Sequence, residues 1–544
     1  MNALKTNDYL VFLFYFIVVA GYGYWVYRRK NKLSTSASHD YFLAEGSLTW
    51  WAIGASLIAS NISAEQFIGM SGSGFKMGLA ISSYEWMAAL TLIIVAVFFM
   101  PVYLKNKIYT MPQFLSQRYN GTVAMIMAVF WLLLYVVVNL MSILYLGALA
   151  IHGISGLDIG LCIGLLAAFA IIITLGGMKV IGYTDVIQVA VLIIGGLATT
   201  YVALTMVSNH FGYGEDFFKG LSLIKQQAPT HFHMIFNSSH EFYRDLPGIS
   251  VLIGGMWVNN LNYWGCNQYI VQRALGANLQ TARSGILFAA FLKLLIPVIA
   301  VLPGIAAYVL FKEGMFASEM TNEAGVVRPD HAYPTLLNLL PSGLKGLAFA
   351  ALTAAVVASL AGKVNSISTI FSLDIYKKLF NQQATEKQVV HVGRWAVIVS
   401  MLLACLVAPA LKTLDQAYQF IQEYVGFIAP GVLAIFALGL FWEKTSTAAG
   451  ILGAVLTIPF SALLKFLPVW TNGWFPDFPF LDRMSIVFIS LIVIMVGVSL
   501  IKPNPLNRQS LIEIDREMFR PTQWFVVGSV VIVGILAALY TVFW

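Results

Sequence analysis

Ala59-Ser60-Asn61-Ile62-Ser63-Ala64-Glu65-Gln66, followed by Gly69, Gly72 and Gly74, interrupts an otherwise apolar run over residues 50–73. A second interruption reads Gly254-Gly255-Met256-Trp257-Val258-Asn259-Asn260-Leu261-Asn262-Tyr263-Trp264-Gly265, then Asn267 and Gln268, inside the run 246–270. Polar side chains and broken backbone at this density are tolerable within a membrane only where they face the protein interior or line a cavity. Both stretches are therefore expected to be broken helices that turn inward. The alternative, polar residues that merely glue helices together, leaves the breaks themselves unexplained.

The rest of the chain supplies the membrane. Of 544 residues, 59% are hydrophobic and only 10% charged, too few charges to solvate a soluble fold of this size, where about 25% is usual. Runs of about 20 apolar residues, the length that crosses the hydrocarbon core, lie near 8–27, 50–73, 79–104, 125–150, 157–175, 184–207 and 246–270. Seven more lie near 280–311, 347–376, 389–410, 416–441, 446–466, 484–501 and 524–543. The expectation is an all-α membrane protein of about fourteen transmembrane helices. The first run is too long for a signal-peptide core and is read as a retained helix.

The net charge of +7 does not mark a nucleic-acid partner, because the basic residues sit in short loops between apolar runs. The loop after the first span holds Arg28, Arg29, Lys30 and Lys32, and alternate loops gather Lys105, Arg118, Arg273, Arg283, Lys377, Lys444 and Arg516. A majority of the 32 Lys and Arg then lies on one side, which the positive-inside rule makes cytoplasmic, and both termini face outward.

The two broken spans, the second and the seventh, each begin a block of five. An odd number of spans gives the second block inverted topology, and broken helices at matching places in two inverted repeats point to a transporter's midplane site. The expected division is a leading helix and loop (1–49), a first repeat (50–207), an outer loop (208–247), a second repeat (248–441) and three trailing helices (442–544). Glu85, Lys293 and the Gln422-Glu423-Tyr424 step also fall inside spans. A charge at the bilayer centre costs about 2.5–3.5 kcal/mol on insertion scales, so such residues usually pair. Glu85 and Lys293 on adjacent spans can neutralise each other and still offer an acceptor and donors to hydroxyl groups; a purely structural pair is the alternative. His231, His233 and His240 are read as a solvated loop rather than metal ligands. Cys162, Cys266 and Cys405 sit in apolar runs and imply no disulfide framework. Nothing resembles a catalytic constellation, so no enzyme is expected.

The chain resembles the sodium:solute symporter family, in its sodium/galactose and sodium/glucose branch. The resemblance rests on residues 55–69, on Ser83-Tyr84-Glu85-Trp86, Tyr263-Trp264-Gly265, Asn267-Gln268-Tyr269, Asn365-Ser366 and Phe420-Ile421-Gln422-Glu423-Tyr424. It implies a leucine-transporter-type fold with two inverted five-helix repeats, in the cell membrane, most simply a bacterial inner membrane. The implied activity is sodium-coupled import of a neutral sugar by alternating access; another solute of the family (a polyol or sialic acid), or a sugar sensor or channel that does not pump, is the alternative. Residue by residue, it makes Gln66, Asn61, Glu85, Asn260, Lys293 and Gln422 sugar-binding positions. Tyr263 becomes the aromatic that stacks under the ring, and Met70, Tyr84 and Tyr418 join it as gates.

Sodium, as coupling ion and with no organic cofactor, would lie between the second and ninth spans. Its implied ligands are the carbonyls of Ala59, Ile62 and Ala355 and the hydroxyl of Ser359, with Asp185 on its exit path; a hard cation of this kind takes oxygen ligands. The chain departs from the branch at Ala88, where a serine is usual, and at Tyr418, where Phe is usual. It departs again at Ala358, which leaves Ser359 as the single hydroxyl, and at Lys363, one helical turn beyond Ser359 on the same face.

Overall fold

The computed structural model describes residues 4–28, 48–176, 178–322, 325–413, 417–504 and 512–544. Each of the fourteen apolar runs has a helical counterpart, and no strand occurs among the described residues beyond an isolated bridge between Thr321 and Val327. Among the described residues, ten helices are long and apolar enough to cross a membrane, and two shorter apolar ones, Ile159–Leu175 and Ala429–Phe441, accompany them. The second and seventh runs supply neither kind of helix, because polar residues and chain breaks divide them.

The second run is helix Trp50–Asn61, a break at Ile62 and Ser63, a π-helical turn Glu65–Met70 and helix Ser71–Met77. The seventh is helices Ile249–Ile253 and Gly255–Leu261, a π-helical turn Asn262–Cys266, a break at Asn267 and helix Gln268–Leu275. The break at Ile62 has a local cause. The Ser63 amide, which in an unbroken helix would bond the Ala59 carbonyl, donates instead to Gln66 Oε1 at 2.9 Å, and the Ser63 hydroxyl donates to the same oxygen at 3.1 Å. A side-chain amide thus replaces one rung of the helical ladder and leaves the Ala59 carbonyl without that donor.

Layers follow burial. In the ninth-span helix, Leu344–Thr369, 94% of the most apolar stretch is buried, whereas the last helix, Gln523–Val542, buries 17%. The first is a core pillar; the second presents most of its surface outward, where a bilayer would meet it. Helix Leu279–Lys312 packs along both halves of the second run, and Leu344–Thr369 packs on helices Trp50–Asn61 and Met178–His210. Small residues permit the closest approaches. A Cβ on Gly285 would lie 2.8 Å from the Trp50 carbonyl oxygen, and one on Gly74 2.8 Å from that of Val301.

Two readings of the sequence need correction. Arg118, Arg273 and Arg283 do not lie in loops but in helices Met111–Arg118, Gln268–Leu275 and Leu279–Lys312, and all three are buried. Arg118 donates to the carbonyls of Gly439, Thr445, Trp442 and Glu443, and Arg283 to those of Ala96, Met518 and Arg520. The guanidinium's fork of donors satisfies carbonyls at helix ends and, at Ala96, one inside the π-helical turn Val95–Phe99. His231 is likewise not solvated. It is buried, donates from Nε2 to the Phe75 carbonyl at 3.0 Å, and stacks on Tyr308 with ring centroids 4.0 Å apart. Burial lowers its proton affinity below the ordinary histidine value. No cluster of three or more metal-ligating side chains exists among the described residues.

The first helix, Thr6–Arg28, carries more than its apolar sequence suggests. Asp8 is buried, and its Oδ1 accepts from the amides of Gly343 at 2.7 Å and Gly346 at 3.1 Å. Those amides open the core pillar Leu344–Thr369, so a carboxylate from the first helix caps the N-terminus of the ninth.

Candidate functional site

The breaks converge on one cavity, of about 70 Å³ in this closed-up arrangement. Its lining includes Asn61 and Gln66 from the second run, Tyr84 and Glu85 from the third and Asn260 and Tyr263 from the seventh. Lys293 of the eighth and Gln422 of the eleventh complete the set. All seven sugar positions implied by the resemblance therefore line one cavity, and the gate position Tyr84 joins them. Met70 is buried but is not part of the lining. The Tyr418 side chain lies outside those the structure describes.

The centre of the cavity wall is an ion pair with two attachments. The Lys293 ammonium donates to Glu85 Oε2 and to Asn61 Oδ1, and stands 5.0 Å from the Trp264 ring centroid. Asn61 Nδ2 donates onward to the Tyr263 hydroxyl at 2.9 Å. Glu85, Asn61, Lys293 and Tyr263 thus form a chain that joins the third, second, eighth and seventh runs. Lys293 and Glu85 are 1% and 4% exposed at the side chain, and desolvation at that depth consumes much of the Coulombic gain. What survives is orientation: fixed amide, phenol and carboxylate groups around a space that apolar helices alone would have closed. Asn260 Nδ2 bonds back to the Met256 carbonyl at 3.1 Å, which holds the amide on its own helix.

Sequence reading missed part of the wall. Asn139, on the fourth run, lines the cavity from a π-helical turn, Leu134–Leu140. Asn259, Trp264, Asn267 and Tyr269, which stand in stretches the sequence singles out but had no assigned role at the site, line it as well. Asn139 carries no charge, so the criterion that selected Glu85 does not reach it; the signal it shares is that of Asn61 and Asn260, an amide side chain inside an apolar span. Tyr135 reaches the same region and donates to Asn267 Oδ1 at 2.9 Å. The π-helical turns of the second, fourth and seventh runs all contribute to the lining, a placement common for functional sites.

Beside the cavity, Ser359 Oγ donates to the Ser60 carbonyl at 3.0 Å, which joins the ninth run to the second at its break. The carbonyls named for sodium, those of Ala59, Ile62 and Ala355, belong to buried residues of these two runs. Lys363 is buried too, and it lines the cavity. Its ammonium donates to Ser359 Oγ at 3.1 Å and lies 4.8 Å from the Tyr269 ring centroid.

Asp185 sits behind this point in a second buried cluster. Its Oδ2 accepts from Ser56 Oγ at 2.5 Å and from Arg273 Nη1 at 2.8 Å. Arg273 Nη1 also donates to Ser56 Oγ. The cluster ties the second, sixth and seventh runs together. Glu423 does not join the cavity; it accepts from Arg483 and pairs with Lys465 at 3.1 Å, so it fastens the eleventh run to the trailing helices.

Three comparisons bear on the family. The model of the sodium:solute symporter family matches residues 41–457. The sodium/glucose cotransporter of Vibrio parahaemolyticus is 46% identical over 100% of this chain and 99% of its own length. The human sodium/myo-inositol cotransporter 2 is 34% identical over 84% of this chain and 69% of its own. Among solved structures, a Na+-coupled sialic acid symporter in a substrate-bound outward-open state superposes with a TM-score of 0.76. It covers 92% of this chain and 98% of its own at 21% identity, so it establishes the shared, leucine-transporter-type fold. With the match spanning most of the chain and the polar residues of both breaks gathered at one cavity, the chain belongs to the sodium:solute symporter family.

Proposed function

We propose that this protein imports a neutral sugar by coupling its entry to sodium, and that the cavity around Glu85 and Lys293 is the sugar site. The observation that carries the reading is the Asn61–Lys293–Glu85 junction within a wall of amides and aromatics. Carboxylate and ammonium there cancel, which suits a neutral ligand, while Gln66, Asn260, Gln422 and the pair itself present donors and acceptors for hydroxyls. Tyr263 and Trp264 supply apolar ring faces for the carbon skeleton. The Vibrio relative's description as a sodium/glucose cotransporter supports the same substrate class.

In this reading sodium binds where Ser359 meets the broken second run, held by the Ser359 hydroxyl and the carbonyls of Ala59, Ile62 and Ala355. Gln66 sits on both sides of the coupling, because its side-chain Oε1 stabilises the break and the same side chain lines the cavity. Ordering the break around a cation therefore also sets the sugar site. The Asp185–Arg273–Ser56 cluster lies on the exit route and reorganises when the two inverted repeats rock inward. About fourteen spans with both termini outside, in a cell membrane, complete the arrangement.

The test is uptake of labelled galactose and glucose into proteoliposomes, with an inward sodium gradient and with potassium in its place. The reading predicts sugar entry that requires sodium and is competed by unlabelled sugar; equal entry in potassium contradicts it. A second substrate, a sugar acid, is favoured by Lys363, which makes the lining two ammonium groups against one carboxylate. Stronger competition by galacturonate than by galactose would select it.

A further inference from the structure

We propose that the Lys363 ammonium is a tethered competitor for the coupling cation, seated at the sodium site until sodium displaces it. The inference rests on the sodium-coupled reading above, and deepens it.

Three observations place the charge. The ammonium donates to Ser359 Oγ at 3.1 Å. That same hydroxyl spends its own proton on the Ser60 carbonyl, at 3.0 Å, so the oxygen turns a lone pair to Lys363. The ring face of Tyr269, with its centroid 4.8 Å from the ammonium, adds a second site attractive to cations. Ser359 is the only side-chain hydroxyl of the implied ligand set, because Ala358 stands beside it without one. A lysine that holds this oxygen holds the site's one adjustable ligand.

Electrostatics makes the two cations exclusive. Two unit charges about 4 Å apart in a medium of effective dielectric near 20 repel strongly enough to change an affinity by orders of magnitude. A sodium ion that takes Ser359 Oγ as ligand must therefore move the ammonium away. Space for that movement exists, since Lys363 already lines the sugar cavity. The chain thus carries its own low-affinity setting for sodium, made by one side chain on the ninth helix.

The test is a sodium titration of thermal unfolding of the purified full-length chain in detergent, with choline keeping the ionic strength constant. Wild type is compared with Lys363→Met and Lys363→Gln. The proposal predicts that both variants reach half-maximal stabilisation at least tenfold lower in sodium than wild type. Stabilisation by sodium in the variants alone is the extreme form of the same result. Equal midpoints, or weaker binding in the variants, overturn it. A sub-millimolar midpoint in the wild-type chain overturns it without any variant, which covers the case where neither variant folds. Sodium-driven sugar uptake in the same preparations separates the two levels: uptake with equal midpoints removes only the tethered competitor, whereas no sodium response in any chain, in stability or uptake, removes the coupling as well.

Discussion

At the scale of single residues, the hydroxyl of Tyr263 and the pair Glu85–Lys293 carry different kinds of energy. Tyr263→Phe removes an acceptor for Asn61 Nδ2 but keeps the ring. A hydrogen bond of this type contributes about 0.5–1.5 kcal/mol, so half-saturation by sugar should rise roughly two- to tenfold with the maximal rate largely retained. Uptake kinetics across a sugar series measures this. Glu85→Gln, by contrast, leaves the Lys293 ammonium buried without its counter-charge. Breaking a buried pair by removing one partner costs about 3–5 kcal/mol, so thermal stability should fall well below that of Tyr263→Phe, and the double substitution Glu85→Gln/Lys293→Met should recover part of the loss. These residues were legible because an ionisable or amide side chain inside an apolar run is costly and demands a reason. Asn139 met the same criterion and escaped notice for want of an adjoining motif. Arg273 escaped for a different reason: at the end of a run it looks like any loop arginine, and only folding shows that it turns inward to Asp185.

At the scale of elements, sequence reveals where helices break more readily than what holds their ends. Glycine and amide clusters marked the second and seventh runs, yet the substitution of a side chain for a helical rung at Ser63 depends on the distance from Gln66. Capping between remote elements is harder still. Asp8 and Gly343 lie far apart in the chain, and nothing in the leading helix's apolar pattern hints that its acid closes the N-terminus of the ninth. Asp8→Ala should cost about 1–2 kcal/mol through the lost cap, seen as a lower unfolding temperature with sugar half-saturation unchanged. Gly304→Ala tests the packing of the eighth helix, where a new Cβ would collide with the Ser71 backbone. Overpacking of this kind costs about 1–3 kcal/mol, and the visible result is a less stable protein that still discriminates among sugars. The loop carrying His231 adds a pH term. Its folded-state proton affinity is depressed by burial, so its contribution to stability is present above the ordinary histidine pKa and is lost as pH falls through the folded value. Amide protection factors in 228–236, taken relative to the intrinsic exchange rate at each pH, should therefore fall on acidification, and His231→Gln should blunt the effect.

At the scale of the whole molecule, apolar runs and charge placement gave the membrane class, and the paired breaks pointed to a transporter. Which helices form the core was not written in hydropathy, because the ninth and the fourteenth are both apolar although one is almost wholly buried and the other mostly exposed. Only packing distinguishes them. If one sodium accompanies each sugar, a tenfold inward sodium gradient provides about 1.4 kcal/mol, or a tenfold sugar accumulation. An inside-negative potential of 100 mV adds about 2.3 kcal/mol, roughly a further fifty-fold. The most direct measurement is the steady-state ratio of internal to external galactose in proteoliposomes as these two gradients are set independently. The account predicts a ratio that rises with each gradient and collapses when a sodium ionophore is added. A ratio that stays at unity whatever the gradients would show that sugar crosses without being driven, and would contradict it.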